Sequence, residues 1–162
     1  MAYSDVIRRT WERNILFSVL IELTYRCNLD CFFCYNDTRQ AGVALAADDY
    51  FRLLDDLAAL GTLNVTLSGG EPLAQKACLP LLSALCDAGY DVSLETSGAL
   101  DIGGVDPRVS RIVDLKAPGS GESAKNRWQN LALLTPRDEL KFVLMDRTDY
   151  EWAREVVREH QL

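Results

Sequence analysis

No run of the 162-residue chain is apolar for long enough to cross a bilayer, and no internal repeat or low-complexity tract interrupts it. Positive charge is also in deficit: 17 Lys and Arg stand against 24 Asp and Glu, a formal net charge of −7. That balance argues against nucleic acid or an anionic membrane as the main partner, since both select basic surfaces. The opening residues, MAYSDVIRRTWERN, lack the apolar core and small-residue cleavage site of a secretory signal. A cytoplasmic location is the expectation, and there clustered cysteines read as ligands or catalysts rather than disulfides. Histidine is nearly absent: only His160 occurs, two residues from the end of the sequence, where it is expected to be solvated.

What remains is an ordinary globular composition, 48% apolar and 25% charged, arranged as alternating strands and helices. Apolar, β-branched runs predict strands at 15–23, 64–68, 91–96, 111–116 and 139–145, the first a nearly continuous run of the kind buried on both faces. Helical spacing predicts helices over 48–61, 75–90, 123–134 and 149–160, with Gly61 and Gly89 as stops and Ser123 as an N-cap. Strand–helix alternation means βα units and a parallel sheet, so the fold class is α/β, one domain over 1–162 with residues 1–13 as an N-terminal extension. Four strands end on cysteine-rich, glycine-rich or polar turns: Cys27 to Cys34, GGEP at 69–72, ETSG at 95–98 and KAPGSG at 116–121. Parallel α/β folds place ligands at the C-terminal ends of the strands, so these turns belong to one rim. Five strands do not close a barrel, and the exposed edge predicts a homodimer.

Three of the five cysteines fall within eight residues, as Cys27-x3-Cys31-x2-Cys34. A structural zinc site normally takes four protein ligands. Cys78 and Cys86 lie on one apolar helical stripe and read as core residues, and terminal His160 makes no credible fourth ligand. Three thiolates suit a [4Fe–4S] cluster with one iron left open for a substrate or cofactor, with zinc or a disulfide as the alternatives.

The cysteine spacing, with the aromatic Phe33 before Cys34, resembles the signature of the radical S-adenosylmethionine (SAM) superfamily, and GGEP resembles its second motif. The resemblance implies a partial (β/α) TIM-like barrel of about five strands. It implies that Cys27, Cys31 and Cys34 bind three irons, SAM chelates the fourth, and reduction by an external donor of flavodoxin or ferredoxin type yields a 5′-deoxyadenosyl radical. Gly69 and Gly70 would let the backbone approach SAM closely, Glu71 would supply an anion for an ammonium group, and Pro72 would stiffen the exit.

Residues 68–100 and 113–144 resemble the 7-carboxy-7-deazaguanine synthase family, most closely in ETSG, DLKAPGSG and NRWQNLALLTPRDELKFV. That family converts 6-carboxy-5,6,7,8-tetrahydropterin to 7-carboxy-7-deazaguanine, with loss of ammonia and help from Mg2+. On this resemblance Glu95 accepts hydrogen bonds from the pterin substrate, with a capping or salt-bridge carboxylate as its alternative. Thr96 adds a hydroxyl on the substrate side and Ser97 on the cofactor side. Lys116 and Ser120 would hold the cofactor's ribose or carboxylate, a structural ion pair being equally open for Lys116. Asn126, Arg127 and Trp128 read as packing and surface. The first half, with TYRCNLDCFFCY, resembles instead the core of peptide-modifying radical enzymes, and the two likenesses meet near residue 66. Tyr35-Asn36 stands where the synthases have an Asp-Thr pair whose Thr is tied to the Mg2+ site, with Asp37 and Thr38 out of register, and one further strand would be expected beyond the last helix. A peptide-modifying core and a non-catalytic cluster-binding module are the alternative functions.

Overall fold

The computed structural model describes residues 3–13, 15–36 and 45–162. Five strands form one parallel sheet in the order β1-β2-β3-β4-β5: β1 (Ser18–Thr24), β2 (Asn64–Gly69), β3 (Asp91–Thr96), β4 (Ser110–Asp114) and β5 (Glu139–Lys141). Four α-helices accompany them: α1 (Tyr3–Glu12), α2 (Ala47–Ala59), α3 (Cys78–Asp87) and α4 (Arg147–Glu159). Sequential order without strand exchange is the topology of a partial barrel. The pairs Glu22↔Ser68, Leu67↔Leu94, Glu95↔Ile112 and Asp114↔Lys141 set the register. Asp37 and Thr38 lie outside the described residues.

Side-chain parity separates the two faces of the sheet. Val65, Leu67, Val92, Leu94 and Val113 pack into one core with Leu82 and Leu85 of α3 and with Ile102 from the segment after β3. The alternate residues, among them Thr66, Ser68, Ser93, Glu95 and Asp114, face the other way. β1 therefore differs from its expectation as a strand buried on both sides: Leu20 is 53% exposed while Val19, Ile21 and Leu23 pack on the core. Among the described residues, α3 covers the core face of this sheet.

The helix start signals operate largely as the residues dictate. Asp48 and Asp49 occupy the first turn of α2, where the helix dipole favours anions, and Gly61 takes the left-handed conformation (φ +77°) just past its end. Pro80 sits in the first turn of α3, where its missing N–H costs no helical bond. The expected helix at 123–134 is the exception. It forms two 3-10 segments, Ser123–Lys125 and Trp128–Leu133, and Ser123 caps no helix. Two asparagines account for this. Asn126 accepts from Lys116 N–H (2.9 Å) and donates to Lys116 C=O (2.9 Å), while Asn130 donates to the carbonyls of Gly98 (3.1 Å) and Leu100 (2.8 Å). Carboxamides in this role compete with helical hydrogen bonding. Trp128 stacks on exposed His160 (5.2 Å between ring centroids) and neighbours Trp152, so this segment also packs on α4.

A buried ion pair ties β4 to the turn before β5. Arg111 grips Asp138 through Nε (3.0 Å) and Nη2 (2.5 Å), and Asp138 also accepts from Thr135 N–H (2.7 Å). Burial alone would raise the Asp138 carboxyl's pKa, but these donors hold it well below the usual carboxylate range. Asp138→Asn leaves the buried guanidinium unpaired and is expected to cost about 3–5 kcal/mol in urea unfolding. Because the folded pKa is depressed, the wild-type contribution is complete above about pH 4 and declines as the pH falls further. A stability curve of Asp138→Asn parallel to wild type through the acid range would contradict this assignment.

Candidate functional site

The loop after β1 runs with alternating residues in and out. Cys27, Leu29, Cys31 and Phe33 line a cavity of about 230 Å3 at the C-terminal ends of the strands. Asn28, Asp30 and Phe32 face solvent, Phe32 with 85% exposure. Exposed Cys34 also reaches the cavity, so all three motif cysteines share one chamber, and all are free thiols.

Two other loops fix this one. Gly70 N–H donates to Thr24 C=O (2.6 Å) and Glu71 N–H to Arg26 C=O (3.0 Å). At this approach a Cβ on Gly69 would stand 2.4 Å from Thr24 O, and one on Gly70 2.3 Å from Arg26 O. The paired glycines are thus required by backbone-to-backbone contact, in addition to any ligand they admit. From the other side, Ser120 C=O accepts from Phe32 N–H (3.1 Å) and Lys125 Nζ donates to Asn28 C=O (3.3 Å). Glu122, paired with Lys125 at 2.7 Å, accepts from Asp30 N–H.

Glu71 and Ser120 differ from their expected cofactor-facing roles. Glu71 has no solvent exposure and lines no part of the cavity. Its carboxylate accepts from Leu73 N–H (3.0 Å), Thr96 Oγ1 (2.9 Å), Ser97 N–H (2.8 Å) and Ser97 Oγ (2.5 Å). These donors compensate a buried charge and leave Glu71 joining the GGEP turn to the end of β3. Ser120 is also fully buried, its hydroxyl donating to Ala117 C=O (2.6 Å).

The remaining expected residues, Gly69, Gly70, Glu95, Thr96, Ser97 and Lys116, do line the cavity with the cysteines. The Thr96 and Ser97 hydroxyls are engaged by Glu71, so the polar wall rests on other groups. Glu95 accepts from Ser68 Oγ (2.9 Å), and the Lys116 ammonium bonds Asp114 Oδ2 (2.8 Å). Burial opposes the ammonium charge, but Asp114 and the nearby thiols outweigh it and raise the Lys116 pKa. Burial also pushes the Cys27 and Cys31 thiols up; the Leu29 N–H on Cys27 Sγ (3.4 Å) and the Lys116 charge pull the other way. Asn126 brackets the Lys116 backbone, and buried Asp149 accepts from Gly119 N–H (2.8 Å), which fixes the β4 loop.

Tyr35 and Asn36 also line the cavity, and the strands and the segment after β5 add Ser68, Ile112, Asp114, Lys141 and Val143, none of which stands in one of the four turn motifs. A signal was present: V-T-L-S, V-S-L-E and I-V-D alternate apolar and polar, the pattern of strands with one wet face.

The donor set suits an iron–sulfur cluster. Three thiols enter one cavity and none is oxidised to a disulfide. Among the described residues no three Cys, His, Asp or Glu side chains converge on a single ion. A cluster needs no such convergence, because each thiolate takes a different iron. Cys78 belongs to the core, 1% exposed, its thiol pushed up to about 12 chiefly by burial. Iodoacetamide is therefore expected to leave Cys78 unmodified in the native protein and to label it only in denaturant, as peptide mass mapping would show. Gly70→Ala is expected to displace the entry to the cysteine loop, costing about 1–3 kcal/mol and lowering iron bound per chain after reconstitution. Full iron loading with unchanged stability would contradict the tight approach.

Comparison with known proteins agrees with this geometry. The profile of the Radical SAM superfamily matches residues 21–159. Two relatives are the 7-carboxy-7-deazaguanine synthase of Koribacter versatilis, 42% identical over 146 residues, and the PqqA peptide cyclase of Rhodopseudomonas palustris, 40% identical over 89. The first match covers 89% of this chain and 63% of the relative; the second covers 54% and 24%. The synthase likeness thus extends well beyond the second half, while the chain spans less than two thirds of the synthase's length. The solved structure of Streptococcus suis SuiB bound to S-adenosylmethionine superposes with a TM-score of 0.72 at 20% identity, covering 98% of this chain and 42% of that one. No described helix is long and apolar enough to cross a membrane. The cysteine chamber, the GGEP turn locked against it and the five-stranded parallel sheet are one arrangement, and the chain belongs to the radical SAM superfamily.

Proposed function

We propose that the chain is a radical SAM lyase of the 7-carboxy-7-deazaguanine synthase type, acting on 6-carboxy-5,6,7,8-tetrahydropterin. The observation that carries this reading is one chamber holding Cys27, Cys31 and Cys34 together with the acceptor Glu95. The 42% identity to a synthase over most of the chain supports it. The three cysteines would hold a [4Fe–4S] cluster, and the cluster with SAM supplies one-electron chemistry when bound. Gly69 and Gly70 offer backbone groups to SAM, and Lys116, fixed by Asp114 and Asn126, offers a cation to its carboxylate. Thr96 and Ser97 act on both ligands indirectly, by fixing the strand end beneath them through Glu71. Glu95, oriented by Ser68, accepts N–H bonds from the pterin. The apolar side chains Leu29, Phe33, Ile112 and Val143 exclude water around these groups.

Mg2+ finds no group of three Cys, His, Asp or Glu ligands among the described residues, and Asn36 stands where the synthases carry Thr. An external reductant of flavodoxin or ferredoxin type and a homodimer covering a sheet edge belong to the same reading. Sedimentation as a dimer at micromolar concentration is the expected result.

The test is anaerobic reconstitution followed by addition of the carboxypterin, SAM, Mg2+ and dithionite. The expected products are 7-carboxy-7-deazaguanine and ammonia, and replacement of any of Cys27, Cys31 or Cys34 by Ala should abolish both. A second reading, a peptide-modifying core, is favoured by the PqqA cyclase likeness. Production of 5′-deoxyadenosine without deazaguanine would turn the assignment toward it. A full cluster with bound SAM and no 5′-deoxyadenosine would instead indicate a non-catalytic module.

A further inference from the structure

The charged groups of the cavity wall do not cancel evenly. Lys116 and Asp114 form an ion pair at 2.8 Å and neutralise one another. Two charges remain. Glu95 on β3 takes a hydroxyl from Ser68 and has no cationic partner among the described residues. Lys141 on β5 has no carboxylate partner among the described residues, and its side chain stands at the exposed rim of the cavity.

Register fixes their separation. Glu95 pairs with Ile112 on β4, and Asp114, two residues further on, pairs with Lys141. The anion and the cation thus share one face of the sheet with β4 between them, about 10 Å apart across the strands and about 7 Å along them, roughly 12 Å in all. Apolar Ile112 forms the floor between them and Val143 stands beside Lys141. Such a wall fits a flat fused ring with N–H donors at one end and an anionic group at the other. A ligand lacking the anion would leave the lysine without a counter-charge.

Resting on the pterin reading above, we propose that Lys141 is a specificity-determining residue that binds the substrate's carboxylate, while Glu95 takes the amino and ring N–H edge at the opposite end. The ring then lies across β4 with a single polarity. The pair Lys116–Asp114 is left to the SAM side of the chamber.

The test uses the anaerobically reconstituted protein with SAM present. Titration calorimetry measures dissociation constants for 6-carboxy-5,6,7,8-tetrahydropterin and for 5,6,7,8-tetrahydropterin, which lacks the carboxylate. Wild type should prefer the carboxylated ligand. Lys141→Met should weaken that ligand about tenfold, the loss of one charge-assisted bond, and leave the plain pterin unchanged. Lys141→Arg should restore most of the preference, and Glu95→Gln should weaken both ligands. SAM affinity should not change in Lys141→Met; a loss there would move the lysine to the cofactor and overturn the proposal. Equal loss for both pterins, or none, would also overturn it while leaving the pterin reading intact. Failure of wild type to bind either pterin would remove both.

Discussion

A carboxylate with no access to water holds the rim of the barrel together. Glu71 accepts hydrogen bonds from its own turn at Leu73 and from Thr96 and Ser97 at the end of β3. The backbone of the same turn donates to Thr24 and Arg26, where the chain enters the cysteine loop. Three strand ends are thereby fixed to one another by a single tetrapeptide. Removing the carboxylate would strand several buried donors, and leaving it without them would strand a charge; each is costly inside a protein. The cysteine loop has no regular secondary structure to hold its shape, so it depends on this turn and on Ser120, Glu122 and Lys125 from the β4 loop.

The site owes its polarity to the sheet face opposite the core. α3 takes the valines and leucines of β2, β3 and β4, and the alternate positions are left to Ser68, Glu95 and Asp114. One period-2 pattern thus builds the core and the chamber together. The β4 loop adds charge to it in a controlled way. Asn126 holds the backbone of Lys116 itself and Asp149 that of Gly119, so the ammonium lies near the thiols as a fixed charge and not as a mobile surface group. The apolar floor lowers the local dielectric, which strengthens every charge placed on it.

Residue types alone revealed a good deal of this. Strand–helix alternation gave the parallel sheet, and Pro80 and Gly61 marked their helices because their backbone restrictions act locally. The cysteine spacing and GGEP pointed to the radical SAM superfamily through their resemblance to its two motifs, and the family match agrees. The helix expected at 123–134 was misread, since Asn126 and Asn130 have helix-compatible neighbours and reveal their roles only when Lys116 and Gly98 come within reach.

Composition and spacing by themselves determined the α/β class, the grouping of three cysteines within eight residues and the rim to which four loops belong; all are set by local propensity, periodicity or a motif of fixed spacing. Tertiary structure decided which members of those loops face the chamber. Glu71 and Ser120 turned inward to hold the loops, and Thr96 and Ser97 gave their hydroxyls to Glu71. Ser68, Asp114 and Lys141 entered from the strands. Which way a side chain faces depends on strand register and on backbone contacts made across the sheet, such as Gly70 against Thr24 and Glu95 beside Ser68. Those contacts join residues far apart in the chain, and no local pattern carries them.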